Sequence, residues 1–185
     1  MLIVVTGGSG SGKSEYAENL AMSLGKRRVY AATMMVYDEE GRERVRRHRR
    51  MRENKDFHTV ECPVDLETIT AFGDTESAVV LLECMSNLVA NEMFMPDGKN
   101  RSGEQTAKKI LRGIQAVIGR CSHLVVVTNE VFSDGNTYDP GTEDYIRALG
   151  IVNCGLAAMA DRVVEVVCGI PVDCLLQKGK ELERR

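Results

Sequence analysis

The chain has 185 residues, 43% hydrophobic and 28% charged, with 24 basic residues against 27 acidic ones and a formal charge of −3. That length buries a real core and is read most simply as a single domain over residues 1–185. The acidic balance argues against a surface built for nucleic acid, no apolar run reaches membrane-spanning length, and Met1–Val5 is too soon broken by glycine to be a signal peptide, so a cytoplasmic location is expected.

The first predicted strand, Leu2–Val5, runs into Gly7-Gly8-Ser9-Gly10-Ser11-Gly12-Lys13-Ser14, which fills every fixed position of the phosphate-binding pattern G-x-x-x-x-G-K-[ST]. Glycines let the backbone curl so that successive N–H groups turn inward, and the helix that follows offers its positive end to the same anion. Lys13 is expected at the β/γ-phosphate oxygens and the Ser14 hydroxyl at Mg²⁺. The helix itself is predicted from Glu15 to Leu24, with Ala17, Leu20, Ala21 and Leu24 on one stripe.

After a second strand at Arg28–Ala32 comes a segment from Asp38 to Asp56 that holds eight of the 24 basic residues and six acids. Its large apolar residues are Val45 and Met51, so a helix here lies over a surface or across a cleft rather than in the core. Arg44, His48 and Arg52 share one face at helical spacing, concentrating positive charge around one imidazole. Two readings follow. One is a solvated helix laced by ion pairs. The other makes His48 a nucleophile toward a nucleotide phosphate, kept neutral by its cationic neighbours, with arginines holding phosphate oxygens.

Further strands are predicted at Phe57–Val60, Ala78–Glu83, Leu124–Thr128 and Arg162–Val167, and helices at Gly103–Arg120 and from about Thr142 to Ala160. Pro96–Ser102 and Ser133–Gly141 read as loops. Strands alternating with helices imply an α/β fold with a mostly parallel sheet flanked by helices. Glu83 ends an apolar run and should emerge at the sheet's carboxyl edge, where such folds bind ligands, able to hold Mg²⁺ through water or accept guanine N–H groups. Asn129 and Glu130 follow their strand toward the same crevice. His58 and His123 have no ligand-spaced partner and read as structural. The six cysteines form no C-x-x-C pair, so neither structural zinc nor a disulfide framework is expected.

Several segments in order resemble the bifunctional adenosylcobinamide kinase and adenosylcobinamide-phosphate guanylyltransferase family of cobalamin biosynthesis. They are the phosphate loop with Val5-Thr6 before it, Tyr30-Ala31-Ala32-Thr33, Arg44–Arg49 around His48, Thr59-Val60-Glu61-Cys62, Leu81-Leu82-Glu83-Cys84, Val127-Thr128-Asn129-Glu130-Val131, and Ala160-Asp161-Arg162-Val163 ahead of Gly169-Ile170-Pro171. The resemblance implies a P-loop NTPase with a RecA-like sheet, a homotrimer, a corrinoid substrate, and GTP with ATP or GTP as the phosphoryl donor. It implies phosphorylation of adenosylcobinamide, then transfer of GMP to the phosphate through a GMP-histidine intermediate on His48. The family's guanosine contacts fall on Ala32, Thr33, Met34, Arg49, Arg50, Met51, Arg52, Glu61 and Glu83. This chain departs from the family at Ser9-Gly10, at Phe132–Pro140 and at Asn153-Cys154, which bears on the corrinoid-facing surface. The alternative is a P-loop kinase of another small alcohol or nucleoside, its arginine helix only a lid; a nucleotide-gated binding module ranks below both.

Overall fold

Short apolar runs in the middle strands build a sheet that is buried on both faces at its centre, and everything else is hung from it. A computed structural model describes residues 1–36, 39–71, 77–95, 100–131 and 135–174, apart from the side chains of Glu40, Arg44, His48, Met51, Thr70 and Ala71. In chain order the elements are β1 (Leu2–Thr6), α1 (Lys13–Leu24), β2 (Arg28–Ala32), α2 (Glu39–Arg52), β3 (Phe57–Glu61), a 3₁₀ turn over Leu66–Ala71, β4 (Val79–Glu83) and α3 (Met85–Met93). Then follow α4 (Gly103–Ile118), β5 (His123–Val127), α5 (Pro140–Met159), β6 (Arg162–Val167) and β7 (Ile170–Asp173).

The strand order is β3-β2-β4-β5-β1-β6-β7, with every neighbouring pair parallel except β6 and β7. The expected α/β fold with a mostly parallel sheet is therefore observed. Successive side chains point to opposite faces. Leu2, Val4, Val80, Leu82, Leu124 and Val126 pack with α3, α4 and α5 on one side. Ile3, Val5, Tyr30, Leu81, Val125 and Val127 pack with Ala17 and Ala21 of α1 on the other. At about 25 cal/mol per Å² of apolar surface removed from water, these two layers supply the main drive to fold.

Helix α2 stands apart. None of its described residues belongs to either apolar cluster, and among the described residues no helix or strand makes a broad contact with it. No helix among the described residues is long and apolar enough to cross a membrane.

Several limits differ from the sequence reading by one or two residues: α1 begins at Lys13 rather than Glu15, β3 ends at Glu61 rather than Val60, β4 begins at Val79 rather than Ala78, β5 is His123–Val127 rather than Leu124–Thr128, and α4 ends at Ile118 rather than Arg120. Helix α5 begins at Pro140 rather than near Thr142, because the Asp139 side chain accepts hydrogen bonds from the Gly141 and Thr142 N–H groups and proline suits the first turn. Helix α3 starts directly after β4 with Cys84 as its cap, which supplies no side-chain hydrogen bond and hence no sequence signal. Strand β7 is an exposed edge carrying Pro171, after the left-handed turn Cys168-Gly169. The expected loops at Pro96–Ser102 and Ser133–Gly141, and the family departure at Phe132–Pro140, lie partly outside the described residues.

Candidate active site

The loop between β1 and α1 owes its shape to backbone that only glycine accommodates. Gly7 sits at φ 151°, and a Cβ there would lie 2.6 Å from the Val166 carbonyl oxygen. Gly12, at φ 90°, is the N-cap of α1 and adds no side-chain hydrogen bond, so the first N–H groups of the helix are left for a ligand. The segments that follow β5 and β6 pin this loop. Gly169 N–H donates to Ser11 O at 2.8 Å, and Glu130 N–H donates to Gly7 O at 3.2 Å. Lys13 is nearly buried, its Nζ donating to Gly8 O at 3.0 Å. Burial lowers its pKa from the ordinary lysine value of 10.5, partly opposed by Cys84 and by the Glu83 carboxylate.

Register aligns the second wall. Ala32 of β2 is paired with Glu61 of β3 on one side and Glu83 of β4 on the other, so these three stand in one row at the carboxyl edge of the sheet. Glu83 accepts a hydrogen bond from the Tyr30 hydroxyl at 3.1 Å. Burial, and next the Glu83 charge, push the Tyr30 phenol well above the usual tyrosine range, so it stays a donor. Asn129, beyond β5, donates to Ser86 Oγ at 2.6 Å.

Loop, sheet edge and α2 together enclose a cleft of about 640 Å³. Ser9, Gly10, Ser11, Gly12, Lys13 and Ser14 line one end of it, and Ala32, Met34, Glu61 and Glu83 the sheet side. Val45, Arg47, Arg49 and Arg52 line it from α2. Val45, Arg49 and Arg52 follow the spacing of one helix face, and position 48 lies three residues after Val45 and four before Arg52. The His48 and Met51 side chains are outside the described residues.

Other expected residues stand differently. Gly7 and Gly8 shape the loop behind the lining. Thr33 is buried, its hydroxyl donating to Cys84 O at 2.8 Å and accepting from Cys84 N–H at 2.7 Å, which splices β2 to β4. Arg50 and the histidines His58 and His123 are not among the residues lining the cleft. Arg52 borders it, yet its guanidinium lies 3.5 Å over the Tyr30 ring and 3.8 Å from a carboxylate oxygen of Glu18. Sequence reasoning missed Tyr30, Thr59, Ser86 and Asn87 as lining residues. For Tyr30 and Thr59 the signal was present: each lies two residues before Ala32 or Glu61 and so shares its face.

The sequence profile of the family described as cobinamide kinase / cobinamide phosphate guanyltransferase matches residues 3–174. The bifunctional adenosylcobalamin biosynthesis protein CobU of Salmonella typhimurium (strain LT2) is 33% identical over 180 residues, covering 93% of this chain and 98% of its own length. The protein of the same name from Escherichia coli (strain K12) is 34% identical over 181 residues, again covering 93% and 98%. Among solved structures, an ATPase from the type III secretion system of pathogenic bacteria superposes with a TM-score of 0.51 at 12% identity, over 93% of this chain and 56% of that one, a likeness of fold alone.

Proposed function

The chain belongs to the cobinamide kinase / cobinamide phosphate guanyltransferase family, and from that premise we propose that it carries both activities. In the first, the γ-phosphoryl group of ATP or GTP passes to the aminopropanol hydroxyl of adenosylcobinamide. In the second, an imidazole nitrogen of His48 attacks the α-phosphorus of GTP. The P–N bond forms as the α–β bridging P–O bond breaks, and pyrophosphate leaves with the electron pair. A phosphate oxygen of adenosylcobinamide phosphate then attacks the same phosphorus, the P–N bond breaks, and adenosylcobinamide-GDP departs with the imidazole restored.

The observation that supports this reading is the shared cleft: Val45 and Arg49 of the arginine helix line it together with Lys13 and Ser14 of the phosphate loop. The loop N–H groups and Lys13 neutralise the triphosphate, and Arg49 offers a planar donor pair to phosphate oxygens. Ala32, Met34 and Glu61 border the guanosine, the Glu61 carboxylate suited to its N–H donors, while Thr33 stands behind them, hydrogen-bonded to the Cys84 backbone. The described residues contain no cluster of three or more protein ligands for a metal. The Ser14 hydroxyl and Glu83 carboxylate are hard oxygen donors on the same cleft, a set that fits Mg²⁺ bound mainly through phosphate and water. When bound, Mg²⁺ neutralises charge on the phosphates. A homotrimer working in the cytoplasm on a corrinoid completes the reading.

Intact-mass spectrometry after incubation with GTP and Mg²⁺ tests it. The native protein gains the mass of one GMP, acid-labile, and His48→Ala gains none while still phosphorylating adenosylcobinamide. A native protein that phosphorylates its alcohol without ever acquiring GMP is instead a simple kinase.

A further inference from the structure

Helix α2 carries the proposed nucleophile, but none of its described side chains joins the apolar core, so other contacts must help to fix its position. The candidate is a chain of charged groups at its C-terminal end. Glu18, five residues along α1 from Lys13, is 0% exposed. One of its oxygens accepts from Lys55 Nζ at 2.6 Å; the other lies 3.8 Å from Arg52 Nη1. At that distance the contact is an ion pair, and neither Glu18 Oε1 nor Arg52 Nη1 has a hydrogen-bond partner among the described residues. Lys55 N–H donates to Arg52 O at 2.9 Å, closing the turn that ends α2. Arg52 in turn stacks on Tyr30, whose hydroxyl reaches Glu83.

We propose that Glu18 is a positioning residue, holding α2 through Arg52 and Lys55 so that His48, one turn before Arg52, is kept at reacting distance from a triphosphate on the loop. This rests on the guanylyltransferase reading of the site. The physical case is asymmetry. A carboxylate wholly removed from water is retained where cations compensate it, and here the cations come from the last residue of α2 and the turn that follows it, while the carboxylate belongs to the helix that begins in the phosphate loop. The two halves of the site are therefore registered to each other by one acid. Because Arg52 is committed to Tyr30 and Glu18, its main part is to orient the helix. In-line attack on phosphorus tolerates little misplacement, whereas phosphorylation of an alcohol uses no group of α2 as nucleophile.

Glu18→Gln keeps the side-chain volume and removes the charge. It is expected to slow GMP adduct formation at saturating GTP by on the order of tenfold to a hundredfold. The GTP concentration for half-maximal labelling, and kcat and KM for phosphorylation of adenosylcobinamide, should stay at their native values. Lys55→Gln, on the other side of the contact and outside the cleft lining, should show the same selective loss, and the double variant should be no slower than the worse single one. Native labelling rates in both single variants overturn the proposal, as does equal loss of both reactions, which would mean that Glu18 supports the phosphate loop itself. If the native protein forms no adduct, the guanylyltransferase reading falls and takes this proposal with it; if only the variants match the native rate, that reading stands and this one alone fails.

Discussion

The phosphate loop and the arginine helix face each other across one cleft and are specified by opposite means. The loop is fixed by backbone geometry: glycines at positive φ, carbonyls held by N–H groups just beyond β5 and β6, and a helix whose apolar side joins the core. The arginine helix is fixed by side-chain charge. Arg42 and Arg46 pair with Glu39 along it, Arg49 reaches Glu61 of β3, and Arg52 and Lys55 converge on Glu18. Backbone-defined sites are rigid and intolerant of small changes, whereas charge-defined ones depend on a few buried pairs and hardly at all on exposed ones. A bifunctional reading suits that division, since triphosphate must be held for both reactions and the helix is needed for one.

The sharpest way to break the comparison is within the loop. Gly7→Ala places a Cβ 2.6 Å from the Val166 carbonyl oxygen at a φ that alanine resists, and about 1–3 kcal/mol of stability should be lost, with weaker nucleotide binding. Gly8→Ala, whose Cβ would meet nothing within 4 Å, should leave stability unchanged. Urea unfolding and nucleotide titration of the two variants read this directly. Equal behaviour of the pair would show that the loop is not specified by its backbone.

The sequence made the backbone-defined half legible and the charge-defined half only partly so. Strand β2 is a buried run between turn signals, and its limits, like those of half-buried β6, agree with those read from the sequence. Strand β7 escaped because exposed residues and Pro171 give no burial pattern. Helical spacing puts Arg44, His48 and Arg52 on one face; of these Arg52 borders the cleft, together with Val45, Arg47 and Arg49, which the spacing argument did not single out as that face. What Arg52 meets does not follow from spacing: Glu18, between Ala17 and Asn19, looks like any solvated helix carboxylate, and only the fold shows it buried against α2. Likewise Thr33, which the family resemblance places among the guanosine contacts, is buried with its hydroxyl taken up by the Cys84 backbone. Pairings between elements distant in the chain are tertiary facts, invisible to local periodicity.

A smaller effect sharpens the loop side. Burial holds the Lys13 pKa below 10.5 in the free protein, while a bound triphosphate favours the charged ammonium and raises it. Between the lowered value and the raised one, free Lys13 is partly deprotonated and bound Lys13 is not. Nucleotide binding in that alkaline window should therefore take up protons, and affinity should fall as pH rises through it. Calorimetry in two buffers of different ionisation enthalpy measures the uptake. Proton release there would assign Lys13 another role.

The smallest effect belongs to a solvent-exposed pair on the cleft-lining face of the arginine helix. Arg49 and Glu61 lie 3.3 Å apart with side chains 64% and 58% exposed, so their pairing is screened and costs side-chain freedom. Arg49→Ala should change unfolding free energy by less than about 1 kcal/mol. If Arg49 serves the nucleotide, the same variant should raise the GTP concentration needed for half-maximal adduct formation, since its planar donor pair is then lost to the phosphates. Stability unaltered with labelling impaired separates a ligand-facing arginine from one that merely braces the helix. The reverse pattern would move Arg49 into the tether with Arg52 and make the whole inner face of α2 structural.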